Sequence, residues 1–559
     1  MRTATLLIFL FGAMLVRAGI PDEPFLQEYH DPHPLPTAAA NDVRCVEVDT
    51  SGRVWASTRA GLFYLAGGGS AVKQKTLTLT RKADYFQQML PAQEAPDLGR
   101  RLELFVDTVM IERMEGTRLL LHHPVDEGEV MPFDKPWEGP FSAYVTVIHD
   151  DSLYRLYYRG MPEGHRDGSR REVTCYAESH DGLHWSKPDL GLYEVDGSRH
   201  NNVILADAAP VTHNFSPFLD TRSDIPAGER YKALGGISRS GLIAWASPDG
   251  IHWHRMQEAP VITWDDIPSS ANGPFDSQNV AFWSEHEQKY LCYFRTWVVR
   301  GGKKYRSVAR AVSDDFLHWE KPVVMDFGDT PPEQLYTNQT APYFRAPHIY
   351  ISVAARFMPH RQVLTEQQAR ALHVDPRYFR DCSDAVLMSS RGGNRYYRTF
   401  MEGFVRPGIG LDNWVSRSNY PALNIVQTGP AEMSLYLNQN YAQPTAHLHR
   451  YSLRLDGFVS VNAPYRGGEM VTKPFRFRGD TLLINFSTSA AGYIKVEILD
   501  EQENPLPGHT LEEAREIIGN EIAKAVAWDH GPSVKALEGK TIRLRFVMKD
   551  ADLYSFRFK

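Results

Sequence analysis

Cysteine is scarce: the 559 residues contain four, Cys45, Cys175, Cys292 and Cys382, with no spacing that suits a metal. A chain this long can build its core without cross-links, so disulfides and buried free thiols both fit, and four cysteines leave three connectivities open. An excess of positive charge is also missing. Sixty-one Lys and Arg stand against 68 Asp and Glu, a net charge of −7. That argues against a nucleic-acid partner, because phosphate neutralisation needs clustered basic residues. The one marked apolar run, Leu6–Val16, is too short to cross a bilayer comfortably. There is no P-loop, no G-x-G-x-x-G before a helix, no H-E-x-x-H, no G-x-S-x-G and no EF-hand loop, which removes support for nucleotide, zinc-protease and α/β-hydrolase chemistry. Helical periodicity is rare. Its clearest stretches are Glu366–Leu372 and Thr510–Ile518, the second opening on the capping-box pair Thr510 and Glu513.

What the chain does have is aromatic and β-branched text. Aromatics make up 11%, with 26 Tyr and 11 Trp. From about Leu102, runs such as AYVTVIHDD, LYRLYYRG, LIAWASPDG, YLCYFR and YISVAARF alternate with turn signals, which reads as a succession of β-strands. Upstream, Arg2, the Leu6–Val16 run and the small residues before Gly19 read as a signal peptide over 1–18. This predicts a secreted or periplasmic protein with no membrane partner once the peptide is removed. Residues 19–99 read as a leader containing one β-hairpin-like repeat, Val48–Leu65.

An internal repeat organises the rest. Ser179-His-Asp-Gly-Leu-His-Trp185 returns as Ser247-Pro-Asp-Gly-Ile-His-Trp253 and Ser313-Asp-Asp-Phe-Leu-His-Trp319, then in degraded form as Ser390–Tyr396, with a fifth turn at Asp456-Gly457. A period near 70 residues suits a four-stranded antiparallel sheet with generous loops, and radial repetition of such sheets is a β-propeller. The reading is therefore all-β: a five-bladed propeller over 100–463, then a β-sandwich over 464–559. Each Asp turn is placed between the third and fourth strands of its blade, as a structural device rather than a catalytic one.

A five-bladed propeller followed by a β-sandwich resembles the glycoside hydrolases of families 32 and 43. The resemblance spans roughly 100–559 and rests on blade count, strand text and domain order. The family-32 pattern W-M-N-D-P-N-G is absent, and the nearest text is Asp134-Lys-Pro-Trp137-Glu138-Gly-Pro. The resemblance implies hydrolysis of a poly- or oligosaccharide by two carboxyl groups in the propeller funnel, one protonated and one ionised. No cofactor is called for, and relatives admit a structural Ca²⁺ in the channel.

Propeller geometry sorts the candidates. Loops entering inner strands open on the ligand face, as do loops joining second to third strands. Asp276, before NVAFW and flanked by Ser277, Gln278 and Asn279, is the expected ionised carboxylate. Glu138, before FSAYVTVI, is the expected partner, with Trp137 desolvating it or stacking on a sugar. Glu333 and Glu402 are further catalytic candidates. Glu432 and Asp220 fall on turns of the opposite face. His213 and Asn214 enter blade two, and Tyr336 and Asn338 enter blade four. Arg295 and Arg356 end second strands, and Trp297, His165 and His360 are assigned to second-to-third-strand loops. Two other functions stay open: a carbohydrate-binding propeller without turnover, and a glycoside phosphorylase using the Arg and His groups for phosphate.

Overall fold

The computed structural model describes residues 95–164, 167–267 and 272–559, together with the backbone of three strands, Val43–Val48, Val54–Thr58 and Gly61–Leu65. Those three pair antiparallel into a small sheet, so the expected hairpin gains a third strand. They belong to a unit of residues 1–94, distinct from the unit formed by 95–559. The signal peptide read over 1–18 lies outside the described residues.

The second unit contains a five-bladed β-propeller. Blade one is Ala143–Asp150, Leu153–Gly160, Val173–Ser179 and Val203–Leu205. Blade two is Ser216–Leu219, Tyr231–Gly235, Ile243–Ser247 and His254–Arg255. Blade three is Val280–Ser284, Lys289–Arg300, Lys303–Ser313 and Val323–Val324. Blade four has Thr340–Tyr343, Ala346–Met358 and Cys382–Ser390. Blade five takes Tyr420–Pro421 and Val426–Gln427 as its inner edge, then Glu432–Gln439 and His447–Arg454. Its outer strand, Val125–Pro132, comes from ahead of blade one and closes the ring. Closure leaves no open sheet edge at the seam.

The repeated turns do sit between third and fourth strands, and their hydrogen bonds explain the motif. In each, one Asp oxygen (Asp181, Asp249 or Asp315) accepts the N–H groups two and three residues on. The preceding Ser hydroxyl and the following His ring hold the same carboxylate. The turn also seats the previous blade. Trp185 meets Tyr436 of blade five edge-on, and Trp253 meets Tyr157 of blade one. Gly250, at φ +77°, leaves no room for a Cβ, which would lie 2.5 Å from the Tyr157 hydroxyl.

The fifth turn has a different role. Asp456 is buried and accepts hydrogen bonds from Tyr343 of blade four and from Asn485 and Ser555 of the C-terminal region. It is the joint between propeller and C-terminal sheet. That sheet is one hydrogen-bonded network of eight strands built on Leu482–Leu499 and Arg543–Phe558, with Phe477, Phe486, Trp528, Phe546 and Phe556 in a shared core. Strand pairing also moves the boundary read from the sequence. Glu103–Leu104, Ile111–Glu115 and Arg118–Leu121 pair with C-terminal strands, and so does Val459–Ala463. Residues 103–121 therefore belong to the C-terminal sheet and not to the propeller.

Of the two helices expected, one forms: Glu366–Ala371, with Thr365 and Gln368 closing a capping box. Thr510 and Glu513 make the reciprocal capping bonds, but the chain turns into bridges to Ile494 and Trp528 instead of propagating a helix. Tertiary pairing overrides the local signal there. Cys175, Cys292 and Cys382 are buried free thiols.

Candidate functional site

Asp276 enters the inner strand of blade three, and its side chain remains 39% exposed at the mouth of the funnel. The loop carrying it is held from both flanks. Asn214, entering blade two, donates through Nδ2 to the carbonyls of Phe275 and Ser277, each at 2.8 Å, and its Oδ1 accepts the Gly236 N–H. Ser277 donates its hydroxyl to the carbonyl of Tyr336, 2.7 Å away. Phe275 takes φ +68°, a region unfavourable for a bulky residue, and its buried ring packs edge-on against Phe294.

The electrostatics keep Asp276 ionised. Burial alone raises its pKa, but the Arg295 guanidinium at 2.7 Å and the His213 ring at 3.7 Å hold it far below the usual carboxylate range. Ser277, Gln278 and Asn279, which flank it in sequence, do other work. Gln278 reaches across the propeller axis to Thr146 and Ser216, accepts from Gln339, and Gln339 donates to the carbonyl of Pro421. The two amides tie all five blades and floor the funnel. Asn279 donates back to Phe275.

His213 is buried behind Asp276. Its Nδ1 lies 3.1 Å from Glu172 and 3.4 Å from the Arg159 guanidinium, and Arg159 also stacks on Tyr144. Burial lowers the imidazole pKa, but the neighbouring Asp276 and Glu172 carboxylates raise it above 6.5 overall. Asp167, Glu172 and His213 offer ligand atoms within 4.8 Å of one another and are the residues that could hold a divalent ion. They fit one poorly, because Arg159 already supplies a positive charge at His213 Nδ1 and both Glu172 oxygens accept the Gly168 N–H.

Tyr336 is the second focus. The guanidinium groups of Arg295, Arg306 and Arg417 lie 4.9, 5.1 and 5.6 Å from its ring centre. Arg306 also lies 4.6 Å from the Trp297 ring. A cavity of about 490 Å³ opens here, lined by Tyr336, Arg306, Arg417, Tyr378, His360 and Asp167 among others. Trp297 lies on the long second strand of blade three rather than in a loop, because that hairpin keeps pairing to Arg300 and Lys303. His360 does lie on the loop after a second strand and is exposed. His165 lies outside the described residues.

The other expected acids are not with Asp276. Glu138 is fully buried, bonded to the Tyr158 hydroxyl and to Lys187 at 2.8 Å. It seals blade one and cannot reach a sugar. Trp137 beside it donates to Asn202 and packs on the same blade. Glu333 is gripped by Arg356 and Arg398, and Arg356 also makes a two-pronged pair with Asp384. That pairing leaves Arg356 no free charge for substrate. Glu402 is exposed on the loop after blade four's third strand. Asn338 is buried and caps its own turn by accepting from Thr340. Asp220 and Glu432 are held in ion pairs with Lys232 and Arg450.

Sequence reasoning missed Arg159, Glu172, Arg306 and Arg417. Arg159 carried a signal, since it lies near the end of blade one's second strand as Arg356 does in blade four; Arg295, expected at such an end, sits mid-strand because the blade-three strand runs on to Arg300. Arg417 just precedes the inner edge of blade five, the entrance position used to choose His213 and Asp276.

No family model matches the chain, and no curated protein does. Among solved structures it is similar to a glycoside hydrolase at 11% identity and a TM-score of 0.39, covering 59% of this chain and 92% of that one. It is similar to an N-acetylgalactosamine deacetylase from F. plautii in complex with blood group B trisaccharide, at 13% and 0.37, covering 61% and 96%. It is also similar to the catalytic domain of a Coprinopsis cinerea GH62 α-L-arabinofuranosidase, at 10% and 0.35, covering 59% and 97%. At these values the likeness carries no argument about chemistry, which rests on the residues themselves.

Proposed function

We propose that the protein is an exported glycoside hydrolase of propeller type, with Asp276 as the ionised carboxylate at the reacting centre. The observation that carries this reading is the setting of Asp276: half-exposed in the funnel, on a loop clamped by Asn214, with Arg295 and His213 keeping it charged. Such a group can stabilise an oxocarbenium-like transition state, attack it, or activate water. The second carboxyl is Asp167. It is exposed, lines the cavity in front of Tyr336 and lies within 4.8 Å of the His213–Glu172 pair, which meets Asp276 through His213. Solvent access lets it exchange the proton a leaving group needs.

The test is product release by the mature protein from a panel of neutral and acidic glycans in phosphate-free buffer. The expected result is release by the wild type, lost in Asp276→Asn and strongly reduced in Asp167→Asn. Release that survives Asp276→Asn overturns the site, and binding without release by the wild type overturns hydrolysis in favour of a lectin-like propeller.

A further inference from the structure

Two of the three arginines around Tyr336, Arg306 and Arg417, have no counter-charge paired with them. Arg295 pairs with Asp276, yet its Nε and Nη1 are buried without a hydrogen-bond partner in a side chain only 4% exposed. Arg306 makes one side-chain hydrogen bond, from Nη1 to Gln334 Oε1 at 3.2 Å, and its Nε is buried and unpartnered. Arg417 donates from Nη1 to the Tyr378 hydroxyl at 3.2 Å. Neither Arg306 nor Arg417 forms an ion pair among the described residues. Both line the cavity in front of Tyr336. Asp167 and Asp381 line it too without pairing with either, and Asp381 accepts the His360 N–H.

Withdrawing a guanidinium from water without a counter-charge is costly, and three around one ring also repel one another. Burial and the charge of Arg295 both work against the charged form of Arg306. An anion entering the cavity removes that cost. The planar fork of Arg matches two oxygens of a carboxylate or sulfate, and Tyr336 holds the forks by stacking.

We propose that the Arg306–Arg417 side of this cavity binds an anionic substituent of the sugar, a carboxylate or a sulfate ester, so that the substrate is an acidic glycan. The substrate assignment rests on the hydrolase reading above; the anion site does not. A binding subsite here needs no further acid from the protein, because the ligand brings the negative charge.

The experiment is titration of the full chain with galacturonate, galactose 6-sulfate and galactose at low and moderate salt. It is read by calorimetry and by tryptophan emission, since Trp297 lies against Arg306. One or both anionic sugars are expected to bind at least about tenfold more tightly than galactose, with salt weakening the difference. Whichever anionic sugar binds assigns the group as carboxylate or sulfate. Arg306→Gln and Arg417→Gln are each expected to lower that affinity by roughly tenfold or more, while Arg306→Lys retains part of it. Circular dichroism melting confirms that each variant folds, and Arg255→Gln, on the outer strand of blade two, serves as a folded control that still binds. Equal binding of all three sugars, or anion binding unchanged in both Gln variants, overturns the proposal. Cleavage of neutral glycans alone overturns it and leaves the hydrolase reading intact. Anionic binding with no cleavage of any glycan does the reverse.

Discussion

Asn214 positions Asp276 without touching it, by donating from one amide nitrogen to the carbonyls on either side of that residue. The blade-two entrance thus sets the carboxylate of blade three. Replacing Asn214 by Leu removes these bonds and orphans the Phe275 and Ser277 carbonyls. We expect a loss of about 2–4 kcal/mol in stability. We also expect kcat to fall while KM moves little, since the carboxylate shifts and the sugar contacts remain. Asn214→Asp, which keeps the acceptor for Gly236 but not the donors, should behave like Leu. Steady-state kinetics with denaturant melts checks this.

Asp276 and Glu138 should separate cleanly. Asp276→Asn strips buried Arg295 of its counter-charge, so it is expected to cost about 3–5 kcal/mol in stability and, per folded molecule, to lose turnover by at least about 10³-fold. Glu138→Gln breaks a buried pair with Lys187, so it should cost about 3–5 kcal/mol in stability while the folded fraction keeps its turnover. Activity normalised to folded protein tells them apart.

The His213 imidazole has a folded-state pKa raised above 6.5. Its charged contacts with Asp276 and Glu172, set against the Arg159 charge, therefore contribute most below about pH 6.5, and the contribution is lost as pH rises through the folded value. The melting gap between the wild type and His213→Gln should be widest at pH 6 and close on the alkaline side. The wild-type rate should acquire an alkaline limb that His213→Gln lacks. A gap independent of pH would sink the assignment of a charged His213.

Glu103 joins the C-terminal sheet to blade four through Arg391 and His348, at 2.7 and 2.9 Å. Although burial raises its pKa, those partners lower it from 4.5 to about 2. Its contribution is present above pH 4.5 and is lost between there and pH 2, so acid should release this joint. Glu103→Gln should flatten the acid melting profile over that window and cost about 3–5 kcal/mol at neutral pH.

The blades were legible because their signals are local. A Ser-x-Asp-Gly-x-His-Trp turn and alternating aromatic strands act within ten residues, so they survive reading in one dimension. Asp276 was legible for the same reason, as an acid at an inner-strand entrance. Glu138 matched that rule and failed because Lys187 and Tyr158 reach it from elsewhere in the blade. The strands over 103–121 carried no mark of the partners they meet 338 or more residues later.

By itself the amino-acid sequence determined an all-β chain of five repeated sheets, the placement of the turns between third and fourth strands, and the position of Asp276 at an inner-strand entrance. Only the tertiary structure decided which charges are neutralised. Arg356 is spent on Glu333 and Asp384, whereas Arg306 and Arg417 are left without a counter-charge beside Tyr336. The physical reason is range. Turn and strand propensities are set by neighbours in sequence, but the charge state and availability of a side chain depend on groups brought within a few ångströms by the closure of the ring.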